Sequence, residues 1–402
     1  MKKLSLVMIG LYVGLFAGFA QSKADSSKYK NHKLSFEEAN IVSSYYSQDG
    51  NNSAVTGGIG TEKLTDLSNS FELKLYKYDK RYRKNSFNFE LGIDHYTSAS
   101  SDMIDLKANS SASYNDTRIY PSINWTRENE KKGTTIGTGL SYSHEFDYVS
   151  YGGNINFAAK TKNRSGEFSA KFQTFFDQVS LVQPLEIRTL IPTTSGREGR
   201  SKYPTSPRNT FDLAMSYSQI INQHFQIMLL GDIIAQNGYL GLPFHRVYLT
   251  TGKVVQENLP NTRVKIPLGI RANYFLGDNL ILRGYYRFYT DDWGITAHTA
   301  SLETPIKINS FFSVSPFYRY YTQTATKYFA PYQQTVPTAQ YYTSNYDLSN
   351  FNSNFYGAGI RLTPPKGVFG IQHFEMLEIR YGHYSKSYGM QSDIISMNLK
   401  FK

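Results

Sequence analysis

The chain has 402 residues and no cysteine, which excludes a disulfide framework, a thiol nucleophile and any cysteine-held metal or haem. Its mean hydropathy of −0.44 is too polar for a bundle of membrane helices, yet ordinary for a barrel whose strands turn only one face to lipid. The formal net charge of +11 is carried by scattered Lys and Arg with no dense run, which argues against nucleic acid and favours anionic lipid or anionic solutes.

Residues 1–24 read as a secretory signal peptide. Lys2 and Lys3 give the positive start, Leu4 to Phe19 the uncharged apolar run, and Gly18-Phe19-Ala20 or Ser22-Lys23-Ala24 the small residues a signal peptidase needs. Beyond it no apolar run approaches the ~18 residues of a spanning helix. Residues 25–38 are expected as a short N-terminal segment, and 39–402 as the body of the protein.

That body is dominated by period-two alternation, the pattern of half-buried strands. Phe87, Phe89, Leu91 and Ile93 alternate with Asn88, Glu90, Gly92 and Asp94; Ile395, Met397, Leu399 and Phe401 alternate with Ser396, Asn398 and Lys400. Strands are predicted at 39–47, 67–78, 86–97, 116–127, 134–146, 151–161, 167–177, 209–220, 224–236, 262–276, 279–291, 294–306, 311–322, 353–363, 373–384 and 391–401. Taken alternately, one set of connections is short throughout, while the other holds every long link: 48–66, 98–115, 178–208, 237–261 and 323–352. Bacterial barrels have short periplasmic turns, longer external loops and an even strand number. The expectation is an all-β transmembrane antiparallel barrel of about 16 strands in the outer membrane of a Gram-negative bacterium, both termini periplasmic. Lipid cannot satisfy backbone N–H and C=O groups, so such a sheet has to close on itself. Its environment would be outer-membrane lipid, and the aromatic Phe401 closing the last strand suits recognition by the barrel-assembly machinery.

If apolar positions face lipid, then Arg118, Lys171, Lys265, Arg271, Arg283, Arg287, Arg319, Arg361 and Arg380 face the lumen, with Glu72, Glu90, Asp94, Asp212, Asp232 and Glu378. The basic excess predicts either a pore biased toward anions or a network of ion pairs bracing the wall. Arg283 and Arg287, beside Tyr285 and Tyr289, form the most suggestive stripe. Loop 178–208 is broken by Pro184, Pro192, Pro204 and Pro207 and carries Arg188, Arg197, Arg200, Lys202 and Arg208; a surface position or a constriction both suit it. The eight His show no Ser partner and no triad spacing, so no catalytic residue is assigned and the chain is not expected to be an enzyme.

The most distinctive text is polar. Asp49, Asn51, Asn52, Ser53, Gly57, Gly58 and Glu62 lie in a Gly/Asn-rich stretch; Ser100, Asp102 and Asp105, closed by Asp116, form a second. Asp49, Asn51 and Ser53 start like an EF-hand loop, but Ala54 and Gly60 stand where its Gly and Glu belong. A calcium site of another kind, from Asp49, Glu62, Asp102 and Asp105 with Asn51, is set against tight turns held by side-chain-to-backbone bonds. The run from Ser44 to Asp66, followed by His95–Asp105 and Ser110–Arg118, resembles a family of uncharacterised Gram-negative outer-membrane β-barrels known as a domain of unknown function. The resemblance implies a barrel over nearly the whole mature chain. It also implies a gene neighbourhood with a small lipoprotein, a thioredoxin-like protein and a flavin transferase, hence a lipoprotein or periplasmic redox partner. Two readings result: a porin-like channel or exporter with a basic lumen, or a closed barrel that docks such a partner through the two polar loops.

Overall fold

The computed structural model describes residues 32–97, 115–184, 187 and 203–402. Its wall strands are β1 (Ser35–Asp49), β2 (Leu64–Tyr78), β3 (Lys84–Thr97), β4 (Asn115–Asn129), β5 (Thr134–His144), β6 (Tyr148–Lys160), β7 (Gly166–Ser180) and β8 (Thr205–Asn222). They continue as β9 (Phe225–Gly238), β10 (Thr262–Leu276), β11 (Leu280–Asp291), β12 (Thr296–Glu303, resumed at Ile306–Lys307), β13 (Phe312–Gln323), β14 (Phe351–Leu362), β15 (Phe374–Lys386) and β16 (Gln391–Phe401). Pro305 breaks β12, since it lacks the N–H the ladder requires. Every neighbour pair is antiparallel, and β1 pairs with β16 from Ala39↔Phe401 to Asp49↔Gln391, so the sixteen strands close into a barrel.

Closure removes both edges, and alternation then gives the wall two chemistries. Leu140, Ile155, Leu229, Leu268 and Ile395 point outward and are each at least half exposed, forming an apolar belt that water would penalise and hydrocarbon accommodates. Tyr45, Tyr142, Tyr217, Tyr274, Tyr318 and Tyr381 lie on this outer face, whereas Tyr46 and Tyr96 turn inward, so the tyrosines serve both surfaces.

The predicted strand count and phase hold; the boundaries shift. β1 begins at Ser35, inside the expected leading segment, and runs to Asp49, while β2 starts at Leu64, so the first long loop shrinks to residues 50–63. The connection between β5 and β6 is only residues 145–147. The segment after β14 folds back over the outer face of the closing seam, where Val368, Phe374 and Phe401 bury Ala39 and Ile41. Short turns collect at one end of the barrel, where β1 starts and β16 finishes; the long loops collect at the other.

Candidate functional site

The lumen is lined as the pleat requires, and its charge is divided by sector. Of the nine basic residues assigned inward, Lys265, Arg271, Arg283, Arg287, Arg319, Arg361 and Arg380 all lie on β10–β15. Of the six acidic ones, Glu72, Glu90, Asp94, Asp212 and Asp232 lie on β2, β3, β8 and β9.

Within the basic sector the arginines separate into two kinds. Arg283 donates from Nη1 to Glu303 (3.3 Å), Glu303 receives Arg380 Nη2 (3.1 Å), Arg380 Nη1 reaches Glu378 (3.1 Å), and Glu378 receives Arg361 through Nε (2.9 Å) and Nη2 (2.6 Å). This alternating chain of five charges crosses β11, β12, β14 and β15. Arg271, Arg287 and Arg319 have no ion-pair partner among the described residues; Arg271 packs over Tyr285 (5.6 Å) and Arg319 over Phe355 (4.8 Å) and Tyr384 (5.9 Å). Arg287 and Arg319 share with Tyr321, Ser353, Tyr384 and Lys386 a lumenal recess of about 320 Å³. The ion-paired arginines and those without an ion pair are therefore different residues. The Arg283–Arg287 stripe divides between them. Glu303, which joins the chain, was missed from the sequence.

At the long-loop end the mouth is spanned. Loop 50–63 joins β1 to β2, and loop 239–261 joins β9 to β10, eight strands away and so on the opposite side of a sixteen-strand barrel. They nonetheless touch: Arg246, 4% exposed, donates from Nη1 to the Val55 carbonyl (2.6 Å), and Gly57 lies against the Tyr248 ring. Loop 324–350 completes the cap through paired backbones, Leu249 with Thr335 and Asn258 with Tyr342. Its centre is dry: Val247, Thr343, Ser344 and Ser53 are buried. A small hairpin, Arg246–Tyr248 paired with Val254–Gln256, stiffens loop 239–261.

The first polar motif is part of this cap. Gly57, Gly58 and Gly60 all have positive φ, and a Cβ on Gly58 would come within 2.8 Å of the Ser344 carbonyl, so glycine is required for the close approach. Asn52 donates from Nδ2 to the Tyr388 carbonyl (2.7 Å), Ser53 accepts Gly58 N through its carbonyl (2.8 Å), and Asn51 is exposed. Asp49 and Glu62 diverge: Asp49 is solvent-facing beside Lys63 (3.5 Å), whereas Glu62 Oε2 is buried without a hydrogen-bond partner. Among the described residues no group of three His, Asp or Glu side chains can hold a metal ion, and Asp102 and Asp105 of the alternative calcium set lie outside those residues. Ser100, Asp102 and Asp105 fall outside the described residues, as do Arg188, Arg197, Arg200 and Lys202. Asp116 accepts Thr117 N (2.7 Å) and Phe146 N (3.1 Å), a backbone-shaping role.

Two carboxylates lock the cap, the buried Glu257 and the more exposed Asp347. Glu257 would be raised by burial, but His245 beside it (3.4 Å), the Thr343 hydroxyl and Leu242 N (2.9 Å) hold it below the usual range. Asp347 receives Lys386 and the Tyr388 hydroxyl (2.7 Å), tying loop 324–350 to β15. Beside it Glu62 is pushed up to about 7, by burial and then by the Asp347 charge, against the pull of Lys386 and His245. A carboxyl raised on folding favours the folded form while protonated and opposes it as pH rises from about 4.5 to about 7. Glu62→Gln should therefore leave the cap unchanged at pH 4 and make it more resistant to proteolysis than the wild type at pH 8. Equal wild-type and variant digestion rates at pH 8 would refute this.

A closed wall with an apolar belt outside and charges within defines an outer-membrane β-barrel of the porin-like class. Within that class the chain belongs to the family described as protein of unknown function DUF3570, whose model matches residues 94–387. The match takes in the second polar motif and leaves the first outside it. Among curated proteins, none matches the chain in sequence. Among solved structures, OccK1 (OpdK) of Pseudomonas aeruginosa is similar over 93% of this chain and 99% of its own, at 6% identity and a TM-score of 0.42. A BenF-like porin from Pseudomonas fluorescens Pf-5 is similar over 93% and 100%, at 7% identity and 0.40. A bacterial polysaccharide outer membrane secretin is similar over 90% and 98%, at 6% identity and 0.46. These likenesses are too distant to transfer a solute.

Proposed function

We propose that the protein is a gated channel for small anions in the outer membrane of a Gram-negative bacterium. In this reading residues 1–24 are removed on export, the long loops face outward, and both termini lie in the periplasm. The supporting observation is the set of guanidinium groups on β10, β11 and β13. Arg271, Arg287 and Arg319 line the lumen without an ion pair among the described residues, with Asp232 acting on Arg287 only through space, next to arginines that are already neutralised. Paired arginines brace the wall; unpaired ones present charge and N–H donors to a passing carboxylate or phosphate. The acidic strands β2, β3, β8 and β9 complete a field across the lumen that orients a dipolar or anionic solute.

The test is planar-bilayer recording under a salt gradient with the double variant Arg287→Gln, Arg319→Gln. The wild type should show anion-preferring openings, and the variant's anion-to-cation permeability ratio should fall several-fold toward unity. An unchanged ratio would remove these arginines from the selectivity mechanism.

A second reading is favoured by the spanned mouth: a closed barrel that serves as a docking scaffold for an envelope lipoprotein or a redox or flavin-linked partner. It requires that a folded wild-type barrel stay electrically silent at every voltage and co-purify with a stoichiometric partner.

A further inference from the structure

A second cavity lies apart from the recess of Arg287 and Arg319, between the rim of β3–β8 and the overlying cap. It measures about 450 Å³, and Leu242, Pro243, Phe244 and His245 of the cap form its roof. Its floor is the acidic connection Glu145-Phe146-Asp147.

That connection is fixed on all sides. Glu145 N donates to the Tyr148 carbonyl (2.9 Å), Phe146 N to the Asp116 carboxylate (3.1 Å), and Ser180 N to the Asp147 carbonyl (2.7 Å). The backbone that carries the two carboxylates is thereby held in place. Their acceptor capacity is unevenly used. Both Asp116 oxygens receive backbone N–H groups, and one Glu145 oxygen receives the Tyr96 hydroxyl. Asp147, only 9% exposed, lines the cavity, and among the described residues its carboxylate is met only by its own backbone N–H. A carboxylate buried to this degree with so few donors carries a large desolvation cost.

The cations in the cavity wall do not relieve it. Arg118 is committed to Asp94 through Nε (3.0 Å) and Nη2 (2.5 Å), and Arg208 to Asp177 (3.1 Å) while lying over the Tyr148 ring (5.1 Å). His245 faces Glu257 (3.4 Å). Among the described residues, negative charge therefore stays on the floor, offset at Glu145 only in part by Arg118 and Arg208. Consistent with this, burial and then Glu145 push Asp147 up to about 7, and burial raises Glu145 as well.

We propose that this cavity binds a small organic cation, a primary ammonium seated on Asp147 and Glu145 with its apolar body under the cap. An ammonium brings three N–H donors to acceptors that lack them. Tyr96, Tyr148 and Phe244 supply aromatic surface of the kind that attracts cations, while Leu242 and Pro243 cover an apolar body. The volume falls within the range of small-molecule pockets, roughly 300–1,000 Å³. A bare calcium ion is a poorer match, because it takes six to eight oxygens, roughly, and the described residues assemble no such set. The site touches both wall and cap, so its occupant ties the two together, and it exists whether or not the barrel conducts.

The experiment is calorimetric titration of the refolded protein in detergent with phenethylamine, and with 2-phenylethanol as the uncharged comparator. Saturable one-to-one binding of the amine alone is expected. Asp147→Asn should weaken it at least tenfold, while Arg271→Gln in the lumen leaves it unchanged; if Asp147→Asn does not refold, Glu145→Gln serves instead. No saturable binding to folded wild type would overturn the proposal, as would equal affinity in Asp147→Asn. Calcium binding that Asp147→Asn abolishes, without amine binding, would overturn it in favour of a metal site.

Discussion

Replacing residues 243–258 with a Gly-Gly link is expected to turn brief openings into a permanently conducting barrel. The shortened loop loses Arg246, whose guanidinium crosses the mouth to the Val55 carbonyl, and Asn258, whose backbone pairs with Tyr342. The wall is spared, because β9 ends at Gly238 and β10 begins at Thr262. A sixteen-strand barrel without an obstruction encloses an aqueous channel, so mean current should rise on the order of tenfold. A milder version is Gly57→Val. The residue sits at φ +81°, and an added Cβ would lie 2.6 Å from the Tyr248 ring, at a cost of about 1–3 kcal/mol. That variant should lengthen openings without enlarging them. Heat-modifiable migration on gels checks that each barrel is folded. A folded, shortened barrel with wild-type current would mean that these loops do not control access.

The second large effect concerns the wall. Glu378→Ala should destabilise the barrel more than removal of any single unpaired lumenal arginine. Its carboxylate, 9% exposed, accepts from Arg361 and Arg380 together, and its loss leaves two guanidinium groups facing each other across neighbouring strands. Breaking a buried pair costs about 3–5 kcal/mol, but both arginines are partly hydrated here, so about 1–3 kcal/mol is the expected loss. Arg271→Gln removes no ion pair and should cost under about 1 kcal/mol. Urea unfolding in lipid vesicles, followed by tyrosine fluorescence, measures both. Equal stability of the two variants would show that the five-charge chain does not brace the wall.

The barrel was legible because alternation is a local signal. Phe87 to Asp94 states its own phase, and the parity of short and long connections states how many times the chain crosses. Lumenal facing followed from the same phase, which is why Arg271, Arg287 and Arg319 lie where the pattern put them. What the arginines do was not legible, since pairing depends on neighbours across strands. Glu303 is not marked by the sequence because the first part of β12 is mostly Thr, Ala, His and Ser and alternates weakly, so nothing singles out the residue before the break as the link between Arg283 and Arg380. The division of charge between sectors was equally hidden, because a total says nothing about which strands carry it. The cap left almost no trace. Its contacts join residues nearly two hundred positions apart, through Gly, Asn, Thr and backbone groups without a period. The Gly57-Gly58 pair signals a tight turn or a close backbone approach; the partners of that approach, Tyr248 and Ser344, leave no mark in the sequence. The buried Asp147 was missed because an acidic turn ordinarily signals a solvated loop, and only the fold places Leu242–His245 above it.

The most direct test of a basic-walled channel beneath a removable cap is the reversal potential of the cap-shortened barrel in a tenfold potassium chloride gradient. The channel account predicts a potential displaced toward the chloride equilibrium value, moving back toward zero when Arg287 and Arg319 become Gln. A potential displaced toward potassium, or a folded barrel that passes no current once the cap is gone, would contradict it.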